Sequence, residues 1–492
     1  MRRRQVAVLA STLLAAVLSV CTPAAAAPGP GTSASPAPPP GPSATEPFTM
    51  WPIPAQIPDA IDAVVGPPPF PHLQTIPQRA VTPGASHRMQ ELREATLPDP
   101  VGDPFFDRWA PDLDRRHPGE LLARRELSWP AAILAVAPIT RATQIKFATR
   151  DAVDRPSFGT ATVLVPRTPA PVAGPRPVLV VNQPIDSLGA ACTPGFDFVH
   201  GIGPNSGISD VIPPTVQLAL ARGYTVIVPD HEGPRMAYAE PTTAGHIVLD
   251  SLRAAAALDP AALDPAGLGA GPVAMTGYSG GAIATLGAAK LIDSYAPELA
   301  PRMAGAAIGG VPADFRMLVG SMNANLATGL FHAATFGIAR ERPEILSLAN
   351  NPAQWIATSP LKNVCTLPEA LAGGTFLPMQ LLSTDPDPFH SPVAEQIYRV
   401  TQMSDRRSGT PLYIYQGAQE FWIPAAGARN LFAEQCRLGA NATYREVFGE
   451  HLVAAVTGYP DALTWLDARL RGVPAVSGCP GGQTPADGHP PR

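Results

Sequence analysis

Lysine is nearly missing from this chain: Lys146, Lys290 and Lys362 are the only three in 492 residues. Charge as a whole is sparse, 15% of residues with a net of −5, so the concentrated basic surface that nucleic-acid binding requires is absent and that class of partner is excluded. The preference for arginine over lysine is read as a mark of base composition, not of function. Cysteine is equally scarce. None of the five forms a C-x-x-C pair and there is no H-E-x-x-H, so no sequence motif houses zinc, and chemistry free of metal and cofactor is expected. After the N-terminal run no stretch approaches the roughly 18 uninterrupted apolar residues of a membrane span, so no transmembrane segment is expected.

What is present begins at the N-terminus. Met1-Arg2-Arg3-Arg4 precedes an apolar stretch from Val6 to Val20 and the small residues Ala24-Ala25-Ala26, the pattern of a secretory signal cleaved near Ala26. A competing reading lipidates Cys21, but Val20 is bulkier than the small residue such signals place there. The four later cysteines, Cys192, Cys365, Cys436 and Cys479, suggest two disulfides in an exported chain, with three connectivities open. Residues 27–47 are Pro, Ala, Gly and Ser with almost no apolar bulk and cannot offset chain entropy by burial, so they read as a disordered spacer. The chain stays proline-broken to about Thr96, with a short helix expected from Asp59 to Val65.

Ordered patterns follow. Gln144 to Thr149 and Gly159 to Val165 alternate on either side of the turn Asp154-Arg155-Pro156, as an antiparallel hairpin does. Val178 to Val181 and Tyr224 to Val228 are continuous apolar runs of the buried parallel type, separated by a helix near Pro214 to Ala221. A helix from Gly245 to Leu258 and further strands at Met303 to Ile308 and Pro411 to Tyr415 continue the alternation, and a final helix is expected from Asp461 to Leu470. The fold class is therefore α/β with a mainly parallel central sheet.

Within that alternation, Gly277-Tyr278-Ser279-Gly280-Gly281 spells G-x-S-x-G, with the apolar run Val273 to Met275 before it and Ala282 to Leu286 after it. Strand, sharp turn and helix are the context of a nucleophile elbow, which makes the α/β-hydrolase fold the expected arrangement. The turn lifts the Ser279 hydroxyl clear of the sheet and aims the Gly280 N–H at an oxygen that becomes negative. Residues 312–403 lose the strand pattern. Met317, Leu318, Met322, Leu326 and Leu330 recur at helical spacing, either as ordinary core or as a helical cap inserted over the site with an apolar inner face. The division expected is a core at 100–311 and 404–472, the cap at 312–403 and a tail at 473–492.

A serine hydroxyl needs a base and an acid to orient it, in the chain order Ser, Asp or Glu, His. His451 in Gly449-Glu450-His451 is the candidate base, since His489 lies in the proline-rich tail. Glu420 is the single acid in the loop after the strand ending at Tyr415. Asp385 and Asp387 are its rivals, in what reads as a solvated turn. Asp186, at the end of the strand Val178 to Val181, stands where the fold keeps its second oxyanion donor, although a turn-capping role fits it too. Asp230 and Glu232 read as structural.

The sequence resembles the secretory lipases of the fungal lipase A type and their actinobacterial relatives over roughly Pro104 to Leu470. The likeness rests on Phe105, on Pro118 to Leu122, on Gln144 to Thr149, on Gly223-Tyr224 through Pro229-Asp230-His231-Glu232-Gly233-Pro234, on Gly277 to Ala282 and on Gly449-Glu450-His451. It implies a capped acylglycerol lipase or carboxylesterase with Ser279 as nucleophile, His451 as base and an oxyanion loop bearing Asp186. The family's acid is an aspartate where this chain has Glu420. The resemblance, with which chain position agrees, also implies the bridges Cys436–Cys479 and Cys192–Cys365. The expected function is secreted hydrolysis of carboxylic esters through an acyl-enzyme, with a small ester or lipid as substrate and a lipid–water interface as candidate partner. An extracellular acyltransferase, or a decayed lipid-binding relative, uses the same residues.

Overall fold

The computed structural model describes residues 54, 56–128, 131, 134–203, 206, 214–258 and 268–480. The expected signal peptide and spacer, Cys21 and His489 lie outside the described residues.

Among the described residues nine strands form one sheet in the order β1-β2-β3-β5-β4-β6-β7-β8-β9: β1 Leu121–Glu126, β2 Ile139–Arg150, β3 Pro156–Pro166, β4 Val178–Asn182, β5 Thr225–Pro229, β6 Val273–Tyr278, β7 Met303–Gly309, β8 Leu412–Gly417 and β9 Ala442–Val447. The pairs β1–β2, β2–β3 and β3–β5 are antiparallel, and every pair from β5 onward is parallel. Residues of β4, β5, β6 and β8 are buried throughout because helices cover both faces. In β4 the period of two is direct: Val178 and Val180 join the core that helices Pro241–Ala256 and Gly280–Tyr295 close, while Leu179 and Val181 join the one closed by helix His451–Leu470.

Two strands escaped the sequence reading. β1 carries Arg124, Arg125 and Glu126, and β9 carries Arg445 and Glu446; both lie at sheet edges, where one flank faces solvent and apolar alternation is not required. The last helix also begins ten residues earlier than the expected Asp461, at His451, and runs through Pro460. Among the described residues no helix is long and apolar enough to cross a membrane.

Between β7 and β8 the chain forms helices Phe315–Met322, Thr328–Glu341, Asn351–Thr358, Thr366–Ala372 and Pro392–Gln402. Arg340 anchors this layer. The guanidinium of this residue, 1% exposed, donates to the carbonyls of Thr96, Leu188, Arg235, Met236 and Lys362, so one side chain satisfies five backbone acceptors from four segments. Burial draws its pKa down to about 9, which leaves it charged at neutral pH. We expect Arg340→Met to cost roughly 3–5 kcal/mol in denaturant unfolding, because five carbonyls lose their donor at once. A change below about 1 kcal/mol would show that the layer is held elsewhere.

The four described cysteines form Cys192–Cys365, which ties the loop after β4 to the inserted layer, and Cys436–Cys479, which ties the C-terminal segment to helix Ala425–Arg437.

Candidate active site

The turn between β6 and helix Gly280–Tyr295 is so tight that side chains are excluded on both sides of Ser279. A Cβ on Gly277 would lie 2.0 Å from the Gly281 carbonyl oxygen, and one on Gly281 would lie 2.0 Å from that of Asn182. Ser279 itself is held at φ 53°, ψ −123°, a strained conformation that projects its hydroxyl out of the strand line.

Two other segments meet that hydroxyl. His451, first residue of its helix, places Nε2 3.0 Å from Ser279 Oγ and Nδ1 2.8 Å from Glu420 Oε2. The helix start is fixed by Glu450, whose carboxylate accepts from the Leu452 and Val453 N–H groups, and by Tyr278, whose hydroxyl donates to the His451 carbonyl at 2.5 Å. Glu420 stands in the loop after β8 with its carboxylate fully covered, and its Oε1 accepts from the N–H groups of Trp422 and Ile423 at 3.0 and 3.2 Å. Burial alone would raise its pKa; the His451 ring and those N–H groups outweigh burial and hold it below the usual range. Asp385 and Asp387 stay apart, bonded within their own turn and to His390.

Asp186 lies directly over the elbow. A Cβ on Gly280 would sit 1.7 Å from its Oδ1. Its backbone is left-handed, φ 46°, and among the described residues neither its N–H nor that of Gly280 meets a backbone acceptor. The Gly280 N–H and the Ser279 hydroxyl turn instead toward the Asp186 carboxyl. Burial pushes the Asp186 carboxyl up to about 6, against the opposing pull of His451. Behind it lie Glu232 and Glu369, both buried, both held well above the usual range first by burial and then by neighbouring carboxyls, Asp186 among them. Glu232 accepts weakly from the Ser187 N–H, at 3.4 Å. Asp230 accepts from Thr160 and from the Gly195 N–H and pins β3 to helix Pro194–His200. Glu369 and Tyr278 were not singled out from sequence; Tyr278 was visible inside the pentapeptide, whereas Glu369 had no motif to mark it.

The serine opens into a cavity of about 570 Å³ walled by apolar side chains, most of them from the segment between β7 and β8, among them Leu318, Met322, Phe331, Ile338, Leu346 and Met379. Ser279, His451 and Asp186 supply polar atoms at one end.

Comparison with known proteins agrees with this architecture. A family model described as secretory lipase matches residues 213–478, just over half of the chain. The chain belongs to the secretory lipase family. It is 29% identical to Lipase 1 of Candida albicans over 405 residues, 78% of this chain and 83% of that protein, and 28% identical to a "probable inactive lipase", MT1628 of Mycobacterium tuberculosis, over 78% and 86% of the two. Its fold is that of Candida antarctica lipase A in its closed state, an α/β-hydrolase, with a TM-score of 0.68 at 24% identity over 77% of this chain and 88% of the other.

Proposed function

We propose that this secretory lipase family member hydrolyses carboxylic esters of apolar acyl chains through a Ser279 acyl-enzyme. The observation that carries the proposal is the hydrogen-bond chain from Ser279 through His451 to Glu420, opening on an apolar cavity. Ser279 Oγ attacks the ester carbonyl while His451 Nε2 takes its proton, and Glu420 stabilises the imidazolium that forms. The tetrahedral oxyanion accepts from the N–H groups of Gly280 and Asp186, each donor being worth about 2.7–4 kcal/mol in comparable sites. Collapse expels the alcohol, protonated by His451; water, deprotonated by the same ring, then attacks the acyl-enzyme and releases the carboxylic acid.

The inserted helices act as a cap in this reading, because their apolar faces supply the walls that would hold the acyl chain. Leu367, Leu452 and Val456 line the cavity and are also more than half exposed, so the mouth has an apolar rim suited to a lipid surface. Two disulfides fit an oxidising compartment and hence export.

A fluorophosphonate probe should label the wild type at Ser279, and release rates on esters of graded chain length should favour chains long enough to fill the cavity. An unlabelled Ser279 would instead favour a lipid-binding relative without turnover. Product analysis with and without an acceptor alcohol separates hydrolysis from acyl transfer, and the rate on emulsified against dissolved esters reads the rim.

Asp186 gives the pH dependence. Its usual pKa near ~3.9 rises to about 6 in the folded protein, so it is neutral below that pH and anionic above it. An anion this close to a developing oxyanion opposes it, since like charges at about 4 Å repel by ~4 kcal/mol at an effective dielectric of ~20. We expect kcat/KM to fall by up to about 10³-fold as pH rises past about 6 and Asp186 ionises, and Asp186→Asn, which tolerates the left-handed backbone, to remove that fall. Superimposable pH profiles for the two proteins would rule the effect out.

A further inference from the structure

Far along the chain from the serine, helix His87–Thr96 presents His87 and Glu91 one turn apart, and the loop before it lays His72 on the same face. His72 Nδ1 lies 2.6 Å and His87 Nε2 3.3 Å from Glu91 Oε1, and one donor atom from each of the three lies within 4.8 Å of the others. The Glu91 carboxylate is 3% exposed beneath the rings of His72 and His87, which are themselves 83% and 46% exposed, so it sits just under the surface. Among the described residues no lysine or arginine pairs with it; the Leu73 N–H, at 2.7 Å, and the two imidazoles are its partners.

We propose that His72, His87 and Glu91 form a binding site for a zinc-class divalent cation, with solvent in the fourth position. Two imidazole nitrogens and one carboxylate suit zinc, whereas calcium and magnesium require mainly oxygen ligands. Zinc bonds of about 2.0–2.2 Å at tetrahedral angles set ligand atoms roughly 3.3–3.5 Å apart, the spacing His87 and Glu91 already have. His72 moves outward by less than an ångström on an exposed loop, and His87 exchanges its 2.7 Å bond to the Leu73 carbonyl for the metal. The Leu73 N–H remains on the carboxylate and orients it as an outer partner does.

The ion would fasten a strap. Helix Gln56–Val64 and the residues after it grip helix Asn351–Thr358 through Asp62 on the Asn351 N–H and the Gly66 carbonyl under the Trp355 indole. Helix His87–Thr96 grips the same layer through Arg93, which donates to the Arg340 carbonyl. A metal bound to His72, His87 and Glu91 fixes the intervening loop to the second helix.

The test is zinc titration of the full-length, chelator-stripped protein at pH 7.5 by calorimetry and thermal melting, with cobalt(II) as a spectroscopic substitute and magnesium as control. The expected result is one zinc per chain, a melting midpoint that rises with zinc and not with magnesium, and a cobalt spectrum of low coordination number. His72→Ala, and His87→Gln, which keeps a donor for the Leu73 carbonyl, should each weaken zinc by about 100-fold or more, beyond the ~10–100-fold that loss of an outer partner costs, with the metal-free midpoint and hydrolysis of a dissolved ester retained. A wild type that takes no zinc, or variants that bind it as the wild type does, would overturn the site.

Discussion

Ser279→Ala and His451→Ala are each expected to lower kcat for ester hydrolysis by about 10⁶-fold, and the double variant by little more. The non-additivity is the informative part. Ser279 Oγ without a base is a weak nucleophile, and His451 without a hydroxyl donor 3.0 Å from its Nε2 has no proton to take, so removing either ends the same step. The oxyanion donors proposed at Gly280 and Asp186 survive both changes and should leave a residual rate of roughly 10³–10⁴ over water. Neither substitution opens the elbow: the crowding that sets the turn involves Gly277 and Gly281, and the backbone strain at Ser279 is relieved no further by Ala than by Ser. Secretion yield and melting temperature should therefore stay near wild type. Kinetics of the two single variants and the double variant, measured on one dissolved ester, decide the matter; wild-type rates in either single variant would remove that residue from the mechanism.

The elbow could be read from sequence because its geometry leaves no choice of residue. At Gly277 and Gly281 a Cβ would overlap backbone carbonyl oxygens, so the chemistry of the turn is written as glycine. The buried strands β4, β5 and β6 were legible for a related reason: both faces are covered, and a continuous apolar run has few other uses. Glu420 was nominated because its loop offers one acid. What escaped has a common cause. The edge strands β1 and β9 keep polar side chains in solvent, and the helix from His451 was hidden by Pro460 in its interior, which reads as a boundary. Asp186, Glu232 and Glu369 come from three separate segments, and His72 joins His87 and Glu91 across a proline-broken loop. Such clusters have no period or spacing; they exist only once the sheet has brought strand ends together and the inserted helices have closed over them.

Glu420→Gln should lower kcat by roughly 10⁴-fold while leaving KM and stability close to wild type, because the amide keeps the volume and one acceptor oxygen but cannot compensate an imidazolium. An amide also offers a donor where the acid had only acceptors, and if that donor faces His451 it selects the wrong tautomer, with the proton on Nε2 toward Ser279. Glu420→Asp is the sharper experiment. Compared by residue type, aspartate is the acid of the resembling family and looks the better choice. In this protein the loop is built for the longer side chain: Oε2 reaches His451 Nδ1 at 2.8 Å while Oε1 is fixed by the Trp422 and Ile423 N–H groups. Removing one methylene withdraws the carboxylate by about 1.5 Å, the length of one C–C bond, so it can keep its grip on the loop or on His451 but not on both. A displacement on the order of 1 Å in such an array costs about 10²-fold, so Glu420→Asp is expected to fall between wild type and Glu420→Gln. The order wild type, Asp, Gln in kcat at fixed pH is the outcome that identifies Glu420 as the acid. Equal rates for all three would move the acid elsewhere, and a faster Asp variant would mean that the loop closes up around the shorter side chain.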